Sequence, residues 1–175
     1  QVITFDHRGF ALTNDVDGGP GRAAFVDDLE GLLDFLKLDK VTLIAQSMGG
    51  RTCLGFAVKS PERVNALVMA ATTGFFEASG ALAAQQEATR KATDSLSQAE
   101  RVLSPSYRAS DPVGTELYLK ISGFNASTQA RLGGATMAAV SGPSTAALTE
   151  ADLARVTMPV RFIGGEDDVL QPPAV

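Results

Sequence analysis

The sequence predicts an α/β protein with a doubly wound, mostly parallel sheet and an inserted helical lid. Short apolar runs, each followed closely by Gly, Asp, Ser or Thr, occur at residues 2–5, 41–45, 66–71 and 160–163. Such runs are typical of parallel strands that are covered on both faces. Amphipathic helical patterns lie between the first three runs, at residues 23–38 and 48–59, so that strands and helices alternate along the chain.

This alternation is interrupted by residues 72–158. The stretch is far longer than a normal connection between strands. Helical patterns separated by turn-rich segments occupy residues 79–103, 112–121 and 127–140 within it. We therefore predict that residues 1–71 and 159–175 form the α/β core, and that the interrupting stretch is a helical lid. The apolar run directly after Gln1 and the turn just before Val175 lead us to expect a core truncated at both ends.

The composition argues against several classes of function. The chain of 175 residues carries 15 basic and 20 acidic residues, and the scattered basic residues and net charge of −5 predict no nucleic-acid partner. No apolar run approaches the roughly 20 residues of a membrane-spanning helix. The single cysteine, Cys53, provides neither a disulfide nor a set of metal ligands, so we expect no metal and mildly favour a reducing, cytoplasmic compartment. The oligomeric state stays open.

The strongest functional pattern is residues 41–50, which read Val-Thr-Leu-Ile-Ala-Gln-Ser-Met-Gly-Gly. A strand runs directly into a helix, and Ser47 lies at the sharp turn between them. The segment resembles the nucleophile elbow of α/β-hydrolases, G-x-S-x-G, with Ala45 in the place of the first glycine. The resemblance implies that Ser47 is a nucleophile and that Ala45 and Gly49 must be small. It also implies that the Met48 amide, at the helix N-terminus, stabilises an oxyanion. The alternative is that Ser47 merely caps the helix.

Two further segments carry the same resemblance. Residues 5–13, Phe-Asp-His-Arg-Gly-Phe-Ala-Leu-Thr, are similar to the family's D-x-R-G-x-G-x-S segment, with alanine and threonine in the place of its last glycine and serine. This similarity implies structural roles for Asp6 and Arg8. Residues 60–69, Ser-Pro-Glu-Arg-Val-Asn-Ala-Leu-Val-Met, resemble the family's P-E-R-V turn into the next strand. No carboxylate follows at residues 70–73, so the acid of a catalytic triad must come from elsewhere.

The predicted acid follows the last apolar run. Residues 158–173 resemble the family's strand followed by G-x-x-D and then a proline, and Gly165 sets the frame that makes Asp168 the acid. A carboxylate just past the end of a parallel strand shares the sheet edge with Ser47, where it can orient an imidazole and stabilise its charged form. Asp167 is the alternative acid, and a solvated acidic turn is the nonfunctional interpretation.

The resemblance implies a serine hydrolase that needs no cofactor. Its expected substrate is a small, mainly apolar carbonyl compound, and the family's ester, thioester, lactone, perhydrolase and carbon–carbon bond chemistries all stay open. Gln46, Phe75 and Phe76 are predicted to contact the substrate. Other apolar side chains of the lid are predicted to roof the pocket: Leu96, Tyr107, Leu117, Tyr118, Phe124 and Met137.

The general base is not expected within the sequence. The only histidine, His7, lies in the structural segment at residues 5–13. The family's order is Ser, acid, His, so a histidine is expected after Asp168 and outside the 175 residues. The rival interpretation is a noncatalytic small-molecule receptor or binding module on the same fold. The presence of both Ser47 and Asp168 favours an enzyme.

Overall fold

The computed structural model of the chain describes residues 1–13, 24–123 and 148–172. Its strands are β1 (Val41–Gln46), β2 (Val64–Ala70), β3 (Phe76–Glu77), β4 (Leu148–Thr149) and β5 (Val160–Ile163). Its α-helices are α1 (Phe25–Phe35), α2 (Gly49–Lys59), α3 (Gly80–Thr93), α4 (Gln98–Val102), α5 (Pro105–Ser110) and α6 (Pro112–Gly123). Short 3₁₀ helices occupy Pro61–Arg63 and Asp152–Arg155.

The main sheet has three parallel strands in the order β1-β2-β5. In its register Ala45 lies opposite Met69, and Met69 lies opposite Phe162. Three of the four predicted strands are therefore confirmed, and β5 has the predicted bounds. The prediction of a strand at residues 2–5 is wrong for this structure, which leaves them exposed and outside any sheet. A strand requires a neighbour for its backbone hydrogen bonds, and none of the described strands adjoins this segment.

Helices α1 and α2 cover one face of the sheet. Both confirm the predicted amphipathic patterns, since α1 buries Phe25, Leu29 and Leu33 and α2 buries Leu54, Phe56 and Ala57. These side chains form one core with Leu43, Ala45, Leu67 and Met69 of the strands. The expected burial of both sheet faces is wrong for the described residues. Ile44 and Ile163, on the opposite face, are 73% and 56% exposed because both core helices pack against the first face.

The segment predicted as a lid is helical, with boundaries that differ from the prediction. The predicted helix at residues 79–103 is two helices, α3 and α4, because Ser97 starts a new helix with a capping box to Glu100. Helix α5, begun by Ser104 and Pro105, was not predicted, whereas α6 confirms the pattern at residues 112–121. The helix predicted at residues 127–140 lies outside the described residues.

The two ends of this helical segment meet in a small second sheet. Phe76 of β3 pairs in parallel with Leu148 of β4. The pair is only two residues long on each side, but it joins the chain before α3 to the chain that leads back to β5. The division into a core and a lid at residues 72–158 stays a prediction. Among the described helices, none is long and apolar enough to cross a membrane.

The segment at residues 5–13 attaches to α1 and α2 through side chains. The Nε2 atom of His7 lies 2.9 Å from the Oγ1 atom of Thr52, and its ring stacks on Phe25 with centroids 4.2 Å apart. Arg8 forms a bidentate ion pair with the carboxylate of Asp28 in α1. Burial lowers the pKa of His7 below its ordinary value of 6.5, and the carboxylates of Asp28 and Asp6 offset only part of this effect.

These contacts predict a pH-dependent contribution of His7 to stability. Because the unfolded chain binds the imidazole proton more readily than the folded chain, lowering the pH through about 6.5 favours unfolding. We expect the free energy of unfolding, measured with urea at pH 5.5 and pH 8, to fall less on acidification in His7→Gln than in the parent protein. An equal fall in both proteins contradicts the burial of a neutral His7.

Candidate active site

The predicted site residues lie at one edge of the main sheet. Because β1, β2 and β5 are parallel neighbours, their carboxyl ends share this edge. Ser47 directly follows β1, Ala71 follows β2, and the loop containing Asp168 follows β5. The structure thus brings together residues that are far apart in the sequence.

Ser47 occupies a strained position at the turn from β1 to α2. Its φ angle is +46°, a region that costs about 1–3 kcal/mol for a residue other than glycine. Its amide donates to the carbonyl of Ala70 at 3.1 Å, and its carbonyl accepts from the amide of Gly50 at 2.9 Å. The helix-cap alternative does not fit, since the N-cap of α2 is Met48 and no side chain caps this helix. The side chain of Ser47 is exposed at the sheet edge.

The structure requires a small residue at Ala45, as predicted. The glycine that must be small is Gly50, not the predicted Gly49. Ala45 is only 1% exposed. A Cβ atom on Gly49 meets nothing within 4 Å in the described chain, which corrects the expectation for this residue. A Cβ atom on Gly50 would lie 2.7 Å from Thr72 Cγ2 and closer still to Thr72 Oγ1. The close approach is thus between α2 and the loop after β2.

The Met48 amide lies at the N-terminus of α2. The amides of Gly50 and Arg51, two and three residues later, donate to the carbonyls of Ser47 and Met48. The first amides of a helix have no partner within the helix, and they carry the positive end of its dipole. An oxyanion formed at Ser47 would therefore lie near an N–H group suited to stabilise it.

Asp168 is held in a defined orientation by backbone amides. Its own amide donates to Gly165 O at 3.2 Å, which closes the turn after β5. Its Oδ1 atom accepts hydrogen bonds from the amides of Leu170 and Gln171, both at 2.9 Å. Asp168 is half-buried, whereas Asp167 is exposed and accepts only a long bond of 3.4 Å from Ser106. The two carboxylates therefore differ, because backbone amides orient Asp168 and not Asp167.

Two clefts meet at Ser47. The first, of about 700 Å³, is lined by Gln46, Ser47 and Asp168 together with residues of α4 and α5. The second, of about 530 Å³, is lined by Ser47, Phe75 and Phe76 together with residues of α3. All five side chains predicted for catalysis or substrate contact thus line a cleft that includes Ser47.

The aromatic residues of the second cleft have other contacts as well. Phe75 is 51% exposed, and the guanidinium carbon of Arg51 lies 5.6 Å from the centroid of its ring. Phe76 belongs to β3 and packs against the core. Among the predicted roof residues, Leu96 lines the first cleft, but Tyr107 and Tyr118 bond to Asp111 and Gln98. Leu117 is 56% exposed. Phe124 and Met137 lie outside the described residues.

Several residues near the site were not singled out by the sequence. Thr73 donates a hydrogen bond of 3.1 Å to Gln171, which links the loop after β2 to the segment that follows Asp168. Arg101 and Arg108 also line the first cleft, and no short sequence pattern marks them. Burial raises the pKa of the Cys53 thiol to about 11, so this cysteine has little thiolate character near neutral pH. The described residues contain no group of three or more metal-ligating side chains.

A comparison with protein families decides the assignment of the fold. Residues 1–163 match the family described as alpha/beta hydrolase fold. The chain belongs to this family. An alpha/beta hydrolase from a Medee basin deep-sea metagenome library shares the fold, with a TM-score of 0.64 at 17% identity over 97% of this chain and 62% of that chain. The enol-lactonase of Burkholderia xenovorans LB400 also shares it, with a TM-score of 0.52 at 17% identity, over 94% of this chain and 72% of that chain.

Two curated relatives of the chain are named as hydrolases. The chain is 40% identical over 75 residues to 2-hydroxy-6-oxo-2,4-heptadienoate hydrolase of Pseudomonas putida (strain F1), which covers 42% of this chain. It is 49% identical over 70 residues to 2-hydroxy-6-oxononadienedioate/2-hydroxy-6-oxononatrienedioate hydrolase 1 of Pseudomonas putida, which covers 39% of this chain. The aligned segments span 27% and 25% of those relatives, about a quarter of their length.

The contact between Gly50 and Thr72 gives a matched pair of substitutions in this member of the family. Gly50→Ala is expected to lower the free energy of unfolding by about 1–3 kcal/mol, because the new methyl group overpacks against Thr72. Gly49→Ala should leave it unchanged or raise it slightly, since alanine favours a helix over glycine. Chemical denaturation of both variants checks this. Equal losses would contradict the close approach at Gly50.

Proposed function

We propose that the chain carries the nucleophile and the acid of a serine hydrolase that acts on carbonyl substrates. In this proposal Ser47 is the nucleophile, Asp168 is the acid, and the Met48 amide is one donor of the oxyanion hole. The supporting observation is that the strained Ser47 and the oriented Asp168 line one cleft at the carboxyl edge of the sheet. Membership of a hydrolase family, with relatives named as hydrolases, supports the same reaction class.

The proposed reaction proceeds through an acyl-enzyme. Ser47 Oγ attacks the carbonyl carbon while a histidine accepts the hydroxyl proton, and the oxyanion that forms is stabilised by the Met48 amide and a second donor. The protonated histidine, oriented by Asp168, then donates its proton to the leaving group. Water activated by the same histidine attacks the acyl carbon and releases Ser47.

The histidine of this mechanism is proposed to lie outside the 175 residues. The chain contains one histidine, His7. Its Nε2 atom lies at hydrogen-bonding distance from Thr52, and its ring stacks on Phe25 in the core. His7 is therefore held by structural contacts with these two residues. Burial also lowers the pKa of His7, which reflects its packing rather than a carboxylate partner.

The scissile bond is proposed to lie next to a carbonyl group. Carboxylic esters, thioesters and lactones fit this requirement. The aligned relatives are named for 2-hydroxy-6-oxo acids, whose hydrolysis would break a carbon–carbon bond beside a ketone, so this chemistry belongs to the same proposal. Gln46, Phe75 and Phe76 are proposed to contact the substrate because each lines a cleft at Ser47.

Substitution of Ser47 tests the nucleophile. In the full-length protein, Ser47→Ala should abolish hydrolysis of p-nitrophenyl esters and labelling by a fluorophosphonate probe, because the attacking hydroxyl is removed. Folding should persist, since alanine is smaller than serine, and circular dichroism checks this. Comparable turnover by the alanine variant would show that Ser47 is misassigned. Absence of turnover and labelling in the parent protein would favour the noncatalytic receptor.

A matched pair of carboxylate substitutions tests the acid. Asp168→Asn should keep the fold and lower kcat by up to about four orders of magnitude, because an amide neither stabilises the imidazolium nor selects its tautomer. Asp167→Asn should have a far smaller effect, since that side chain is exposed and weakly bonded. Steady-state kinetics of both variants give the ranking. The reverse ranking would assign the acid to Asp167.

A further inference from the structure

We propose that Arg101 and Arg108 form a subsite that binds a carboxylate group of the substrate. The two side chains belong to α4 and α5, and both line the 700 Å³ cleft that contains Ser47 and Asp168. The inference rests on the proposed function, because it assigns the part of the substrate that lies beyond the reacting carbonyl. It narrows the substrate class to carbonyl compounds that also carry a negative charge.

The decisive observation is that both guanidinium groups are incompletely satisfied. The Nε atoms of Arg101 and Arg108 are buried and have no hydrogen-bond partner in the described chain. A guanidinium group stays protonated at all physiological pH values and offers five N–H donors. Leaving such donors buried and unpaired is costly, whereas a carboxylate binds the planar fork with two parallel hydrogen bonds.

Four carboxylates also line the cleft, those of Glu100, Glu166, Asp167 and Asp168, and hydrogen bonds orient Glu100 and Asp168. Glu100 Oε2 accepts bonds from the amide and the hydroxyl of Ser97, and these bonds, with a smaller contribution from the charge of Arg108, hold the pKa of Glu100 below its ordinary value. Asp168 Oδ1 accepts two backbone amides. Neither these carboxylates nor any other in the described ranges forms an ion pair with Arg101 or Arg108. The described residues therefore leave the Nε–H donors of both arginines without a carboxylate partner.

The position of Arg101 relates this subsite to the reacting atoms. Arg101 lines both clefts that meet at Ser47. Arg108 lines the first of them together with the loop that contains Asp168. The turn at Ser104 and Pro105, which starts α5, lies between the two arginines and lines the same cleft. A substrate with its carbonyl at Ser47 and its carboxylate at the arginines would lie within one cleft.

A matched pair of esters tests the subsite in the full-length protein. p-Nitrophenyl hydrogen glutarate and p-nitrophenyl valerate differ only in a terminal carboxylate in the place of a methyl group. We expect the parent protein to have the higher kcat/KM for the glutarate ester. Arg101→Gln and Arg108→Gln should each lower the ratio of the two kcat/KM values by about tenfold or more, which is the effect of losing a charge-assisted hydrogen bond. The value for the valerate ester, which offers no carboxylate to the arginines, should fall far less than the value for the glutarate ester.

Three controls separate recognition from a loss of structure or of net charge. Arg101→Lys keeps the charge but loses the planar fork, so its ratio should be intermediate. Lys91→Gln removes a positive charge from the exposed surface of α3 and should leave both kcat/KM values unchanged. Thermal denaturation should give similar Tm values for all variants.

The outcomes distinguish this subsite from the proposed function. Hydrolysis of both esters with equal kcat/KM, unaffected by the arginine substitutions, overturns the subsite and leaves the serine hydrolase intact. If neither ester is hydrolysed and the fluorophosphonate does not label Ser47, the hydrolase proposal fails. Calorimetric titration with glutarate still tests the subsite in that case: binding that is lost in Arg101→Gln supports it, and no binding to the parent protein overturns it.

Discussion

Two backbone hydrogen bonds at the carboxyl edge of the sheet hold the candidate site together. The Ser47 amide donates to Ala70 O at 3.1 Å, and the Ala71 amide donates to Ile163 O at 2.8 Å. They extend the parallel ladder one residue beyond the ends of β1 and β2, so that three strands end at the same level. Both Ser47 and Ala71 then turn the chain through a positive φ angle. The loops that follow leave the sheet at adjacent points and line one pair of clefts.

Helix α2 and helices α4 to α6 support this edge in different ways. Phe56 and Ala57 of α2 are fully buried, and this rigid packing holds the helix that follows the strained turn at Ser47. No residue of helices α4, α5 and α6 is fully buried, so their positions depend on capping by Ser97 and Ser104 and on contacts with each other. The helical wall of the first cleft is therefore less firmly packed than the sheet that presents Ser47 and Asp168.

The sequence predictions are accurate where the pattern is local along the chain, and they fail where the structure depends on contacts with distant segments. Strand β5 and helix α2 were predicted well because apolar periodicity is local and strong in both. The split between α3 and α4 was missed because the apolar pattern continues through Ser97, whose cap decides the break. Residues 2–5 have the composition of a strand, but strand formation requires a neighbour that composition does not reveal. The functional roles of Ser47 and Asp168 stay predictions, although the geometry agrees with the frame that Gly165 sets.

The sequence by itself determined the fold family, the helix and strand types of the core, and the candidates Ser47 and Asp168, because each depends on a short pattern along the chain. Only the tertiary structure decided that Gly50 rather than Gly49 is the close contact, since Thr72 approaches it from another loop. It alone decided that His7 packs on Phe25 and Thr52. It also showed that Arg101 of α4 and Arg108 of α5, which line a cleft that includes Ser47, have buried and unpaired donors, because burial and hydrogen bonding depend on contacts between distant segments.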